Sequence, residues 1–313
     1  MEENLYLMKQ DGLYGYINRQ GEYVIEPQYK QAKNFCEGLA FVRTVDDKFA
    51  YINGANDIVL PVESRFYSSF SNGMARFRKI NGNKCGFINK KGEVVIKPKF
   101  DHVIHHFDED GYSIVEVEGK WHVIDKGGNF VFKESFDAMS PFHEGLATVR
   151  KNDKAGFINK NGELVIEYKF DSASSFSEGL AVASIEKRIF GYIDKSGDFV
   201  IEQKYINCFD FKEGVAAFKV KTEGKWGFIN KNGKQIFKKK FYSVQDFSEG
   251  LAAVESNVGW GYIDKDGNTI IDFVFHAADD FNNGIAQINY NGEWGYINKS
   301  GAFIYRPKGF DLW

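Results

Sequence analysis

The sequence predicts an all-β chain: a tandem array of nine three-stranded antiparallel units of about 35 residues, stacked as an open, twisting superhelical β solenoid. Two recurring motifs and the composition predict it. An aromatic-Gly-aromatic-Ile-Asn/Asp segment is complete at Tyr14–Asn18, Trp226–Asn230, Trp260–Asp264 and Trp294–Asn298, and drifted copies begin at Phe49, Cys85, Trp121, Ala155 and Phe190. Successive anchors stand about 34 to 36 residues apart, a spacing that chance does not keep. A second motif, Phe-x-Glu-Gly-Leu-Ala or a close variant, follows each of the first eight anchors, with its glycine between Gly38 and Gly284. The 30 Phe, 16 Tyr and 32 Gly against 5 Pro favour short strands joined by glycine-dependent turns.

The seventh copy shows the elements in order. Val215 to Val220 is a short run of strand formers, strand c. A turn at Glu223–Lys225 leads into strand a, Trp226 to Asn230, and Lys231-Asn232-Gly233 reverses the chain into strand b, Gln235 to Phe237. Asn-Gly suits that reversal because both residues tolerate positive φ. About ten residues then connect to the next copy, Phe241 to Glu249.

Alternation places Trp226 and Phe228 on one face of strand a and Ile229 on the other. The second residue after the strand-c glycine is always small: Ala40, Ala75, Ser113, Ala147, Ala181, Ala216, Ala252 and Ala286. An aromatic of an adjacent strand or unit is expected to pack on it. The next position varies from Phe41 through Arg76 to Gln287, so a looser, partly wet surface is expected there. One meander cannot bury both faces, so isolated units should not fold.

The frame favours the open array. The chain starts in strand c at Leu5 to Met8 and ends just after strand b at Phe303 to Tyr305, whereas many propellers split one blade between the termini and build blades of four strands. A closed propeller-like ring is the alternative. Pro27, Pro61, Pro98 and Pro307 fall at or near the end of strand b, as expected of an edge. Residues 1–313 read as a single domain.

The segments Lys225–Lys234 and Phe247–Ala252 closely resemble the bacterial WG-repeat, or KWG-repeat, family, and the resemblance covers essentially the whole chain. Tyr14, Phe49, Cys85, Ala155 and Phe190 replace its Trp, and His122 replaces a glycine. The resemblance implies a bacterial β-repeat protein with a role in protein interaction, and it brings no catalytic residues. On this reading the Trp-Gly motif is the packing joint between units, and function lies in the loops.

Lys plus Arg total 40 against 43 Asp plus Glu, a formal charge of -3, so no nucleic-acid partner is expected. Cys36, Cys85 and Cys208 form neither a disulfide framework nor a zinc knuckle, and no apolar run reaches membrane-spanning length. A cytoplasmic monomer without cofactor is the expectation. No phosphate loop, nucleophile elbow or H-E-x-x-H occurs, which argues against an enzyme.

Two stretches are candidate partner-binding sites. His102, His105 and His106 stand among acidic residues in a connection, where imidazole and carboxylate could ligate zinc or nickel, but loop position defines no ligand geometry and no metal is assigned. Lys238, Lys239 and Lys240 end a run of eight lysines in the seventh copy that meets only Glu223. The Phe-x-Glu-Gly carboxylates recur too regularly for an acid-base pair and should accept backbone donors at the turn. The chain therefore reads as a non-catalytic scaffold that binds protein or peptide through its repeat surface, with glycan or cell-wall binding as the alternative.

Overall fold

The computed structural model describes residues 5–63, 67–186 and 188–306, so Pro307 lies outside the described residues. Two compact units, Met1–Met139 and Ser140–Trp313, divide the chain. Among the described residues every regular element is a strand, and the strands form nine separate antiparallel sheets.

The copies are larger than three strands. In the N-terminal unit the second sheet runs Gln31–Ala32, Ala40–Arg43, Phe49–Ile52, Ile58–Val62. In the C-terminal unit the sixth runs Ser172–Ala173, Ala181–Ser184, Phe190–Ile193, Phe199–Tyr205. Each begins with a short outer strand, d, drawn from the connection and paired to strand c: Lys30 N–H donates to Arg43 O at 2.8 Å and Lys33 N–H to Phe41 O at 3.0 Å. Two ladder residues carry too little alternation to be read from sequence.

This overturns the open solenoid. No ladder among the described residues joins one sheet to the next, and each complete copy is a four-stranded d-c-a-b meander whose face packs against its neighbour. Four-stranded sheets stacked face to face are propeller blades, so within each unit the packing is that of a propeller and not of a solenoid.

The glycine after the first anchor aromatic has a steric cause. A Cβ on Gly15, Gly86, Gly191 or Gly261 would lie 2.4, 2.4, 2.4 or 2.6 Å from the carbonyl oxygen of Ile25, Ile96, Ile201 or Ile271, because strand b bulges over it. Two drifted copies confirm the logic. Ala50 replaces the glycine where strand b pairs in step, Ala50 opposite Pro61, and His122 does so where strand b shrinks to bridges at Phe130 and Phe136. Strand b also breaks in the seventh copy, leaving bridges at Gln235 and Phe241. These two broken copies carry Phe132 and Phe237 where the regular ones carry the buried isoleucine.

The core lies between sheets. Tyr16, Ile25 and Tyr29 of the first sheet pack on Ala40, Val42 and Ile52 of the second, and Tyr192, Ile201 and Tyr205 of the sixth pack on Ala216, Phe218 and Ile229 of the seventh. The invariant small residue therefore sits beneath the neighbour's aromatics, as expected. The variable position after it is buried in six copies, at Phe41, Ile114, Thr148, Val182, Ala217 and Ala253, since that face meets the sheet on the other side, and half-buried only at Arg76 and Gln287. Of the anchor aromatics, the second is the joint. Tyr16, Tyr51, Tyr192 and Tyr262 are wholly buried, while Trp260 is half-buried and Trp294 exposed.

Candidate functional site

Three kinds of contact fasten sheet to sheet, and they account for most of the repeated polar residues. The glutamate of Phe-x-Glu-Gly sits at positive φ and reaches the next copy: Glu178 accepts Gly214 N–H at 2.9 Å, and the Lys231 ammonium lies 3.0 Å from its carboxylate while donating to Glu178 O at 2.9 Å. Glu37 with Gly73 and Lys90 repeats this latch, as do Glu144, Glu213 and Glu249 with their own glycines and lysines. Burial alone would raise the carboxyls of Glu37, Glu178 and Glu249, but the lysine and amide hydrogen bonds hold them below the usual range. The tyrosine hydroxyls of Tyr16, Tyr192 and Tyr262 donate at 2.7, 2.7 and 2.8 Å to the carbonyls of Lys33, Phe209 and Asp279, 17 residues on. In six copies the turn glycine rests on the preceding copy's strand-b residue: a Cβ on Gly197 would lie 2.7 Å from Ile166, and one on Gly233 3.1 Å from Ile201. The expected backbone acceptance by the glutamates is thus present, but across copies.

The three histidines lie on and just after strand d of the fourth copy. His102 stands on strand d of the fourth copy (His102–His105) opposite Glu116, with Nε2 3.8 Å from that carboxylate and the side chain 70 % exposed. A register shift separates Val103 from His105, whose backbone pairs with Ile114, and the half-buried His106 follows the strand. Among the described residues no group of three His, Cys, Asp or Glu could hold a metal ion.

The lysine run divides between the two ends of the seventh sheet. Lys231 and Lys234 flank the turn between strands a and b, where Lys231 closes a latch. At the other end the Lys219 ammonium lies 4.8 Å from the ring centre of Trp226, Lys225 3.9 Å from Tyr242, and Lys240 4.2 Å from Phe218. Lys239 reaches Thr269 Oγ1 at 3.2 Å, and Lys238 is exposed. Burial pulls the Lys240 ammonium's pKa down. The bridge between Trp226 and Phe241 draws these groups together, a neighbourhood that sequence spacing alone conceals.

A depression of about 340 Å³ in the C-terminal unit is lined by Ser172, Ser174, Val182, Cys208, Phe209, Asp210 and Asp246. Its carboxylates precede the motif phenylalanine in consecutive copies. Ser174 Oγ donates to Asp210 Oδ1 at 2.6 Å, and Lys212 pairs with Asp246 at 2.7 Å. Burial pushes the Asp210 carboxyl up, burial and then Asp246 push Asp280 up to about 6, and burial pushes the Cys208 thiol up to about 12. The thiol is no nucleophile at neutral pH.

A family model described as "WG containing repeat" matches residues 14–49, 49–85, 86–121, 123–154, 156–188, 190–225, 226–257 and 260–294. The chain belongs to the WG-repeat family. Among curated proteins none matches the WG-repeat chain. Of solved structures, a eukaryotic initiation factor is similar over 96 % of this chain and 95 % of its own at 11 % identity, with a TM-score of 0.64. The computationally designed Ika8 protein is similar over 88 % of this chain and 95 % of its own at 10 % identity, with a TM-score of 0.50. At such identity the likeness concerns the fold alone. No helix among the described residues is long and apolar enough to cross a membrane.

Proposed function

We propose that this WG-repeat chain is a non-catalytic scaffold that binds protein or peptide partners along its strand-b edges. One recurring exposure carries the reading. The residue before the inward strand-b isoleucine or leucine is branched and apolar in six copies, as Val24, Val59, Val95, Val165, Val200 and Ile270, and each is 42 to 50 % exposed. These side chains stand on the outermost strand of their sheets, whose free edge offers backbone donors and acceptors. A repeated apolar residue on an open edge suits an extended peptide added as a further strand. Family membership fits an interaction role, and three cysteines unpaired with one another fit a reducing, cytoplasmic setting.

Affinity purification from the native host followed by mass spectrometry tests it, comparing the wild type with a chain carrying Val95→Asp, Val165→Asp and Val200→Asp. Partners captured by the wild type and lost from the variant are expected; identical capture would overturn edge binding. A second reading, glycan binding, is favoured by the exposed Trp294, whose ring could stack on a sugar. Glycan-array signal lost on Trp294→Ala, without protein capture, would replace the first reading with the second.

A further inference from the structure

We infer that the lysine-aromatic end of the seventh sheet is a docking site for a short acidic segment of a partner protein, a conclusion that rests on the scaffold reading and names the chemistry of one partner. Charge is inverted here. After the buried strand-b residue the sixth copy carries Glu202 and the eighth Asp272, both exposed; the seventh carries Lys238 at that position, exposed as well. Among the described residues, Lys219, Lys225, Lys238, Lys239 and Lys240 form no ion pair, whereas Lys231 and Lys212 in the same copy each hold a carboxylate.

The break in strand b creates the surface. With only the bridges at Gln235 and Phe241 left, the segment between them carries Lys238 to Lys240 past strand a, and Lys240 lies over Gly227 rather than along an edge. Tyr242 and Val220 remain about half exposed beside the ammonium groups. Cations seated on aromatic faces are held in place yet keep donors for carboxylates, and the exposed Tyr242 offers an apolar contact between charges.

The width of the patch selects the partner. A nucleic acid carries a phosphate charge at every few ångströms and would run from this single copy onto Glu202 and Asp272. A few glutamates or aspartates in an extended peptide end where the lysines end.

Fluorescence anisotropy of the full chain tests this, using a labelled hexaglutamate flanked by phenylalanines, its glutamine counterpart and a single-stranded oligonucleotide, at about 50 mM and about 200 mM salt. The expected result is saturable binding of the glutamate peptide only, weakened by salt. Lys225→Glu with Lys238→Glu should weaken it about tenfold or more, and Lys234→Glu, at the other end of the sheet, by less than about twofold. Circular dichroism melting confirms that the variants fold. Absence of glutamate-peptide binding, equal binding by the double variant, or tighter binding of the oligonucleotide would overturn the proposal. Partner capture that survives the double variant but is lost on the strand-b edge substitutions would leave the scaffold reading standing and remove this one.

Discussion

Glu178 holds Lys231 across two sheets: the ammonium lies 3.0 Å from the carboxylate and donates to the carbonyl of the same glutamate, while the seventh copy's Gly214 amide points into the carboxylate. Glu178→Ala should therefore cost about 1 to 2 kcal/mol, mostly through the charged hydrogen bonds, since the exposed ion pair itself contributes about 0.5 kcal/mol. Faster hydrogen exchange at Gly214 and a lower denaturation midpoint check it; unchanged exchange would show that the latch carries no load.

Acid should act on stability in two opposed ways. Asp280 has a carboxyl raised to about 6 in the folded chain, so the folded state binds the extra proton and stability rises as pH falls from 7 towards about 4. Glu37, Glu178 and Glu249 have lowered carboxyl pKa values; their contribution is complete above about 4.3 and is lost as pH falls through the folded values. Denaturation midpoints measured against pH should pass through a maximum in mildly acid solution. Asp280→Asn should flatten the neutral-side slope and leave the acid-side loss.

The two kinds of motif glycine should respond differently to a methyl group. Gly261→Ala would drive Cβ to 2.6 Å from the Ile271 carbonyl oxygen, backbone that cannot step aside, and should cost about 3 kcal/mol. Gly227→Ala meets the Lys240 ammonium at 2.6 Å and the Phe218 ring edge at 3.1 Å, and the lysine can swing away, so the cost should stay within about 1 kcal/mol. Thermal melts of the two variants decide it; similar losses would refute the bulge argument.

Tyr192→Phe should lose only about 1 kcal/mol, because the hydroxyl donates one hydrogen bond, to Phe209 O, and Phe87, Phe157 and Phe228 already fill the equivalent place without it. Tyr192→Ala opens a cavity beside Phe211 and Tyr205 and should cost about 3 to 5 kcal/mol. Chemical denaturation of the pair separates hydroxyl from ring.

The period, the order c-a-b and the burial of Ala181 and its equivalents were legible because each leaves a mark in every copy. Strand d was not, because Ser172–Ala173 is two residues long. The stacking of blades was missed for a related reason: alternation shows that both faces of a strand are apolar, but not whether neighbouring units pair edges or pack faces. At the candidate sites, sequence proximity misled. It grouped Lys231 with Lys240, which a reversal of the chain sends to opposite ends of one sheet. Phe237 in place of isoleucine was the available signal that strand b would break in the lysine-rich copy.

Each latch is divided between neighbours: one copy supplies the glutamate, and the next supplies both the glycine amide and the lysine. A duplicated stretch of coding sequence one period long therefore arrives carrying the receiving half for the joint behind it and the giving half for the joint ahead. Between Glu144 and Lys299, where consecutive copies all carry the latch, lengthening or shortening such a gene by whole periods leaves every latch complete. Growth of the array by copying is thus written into where the charges sit.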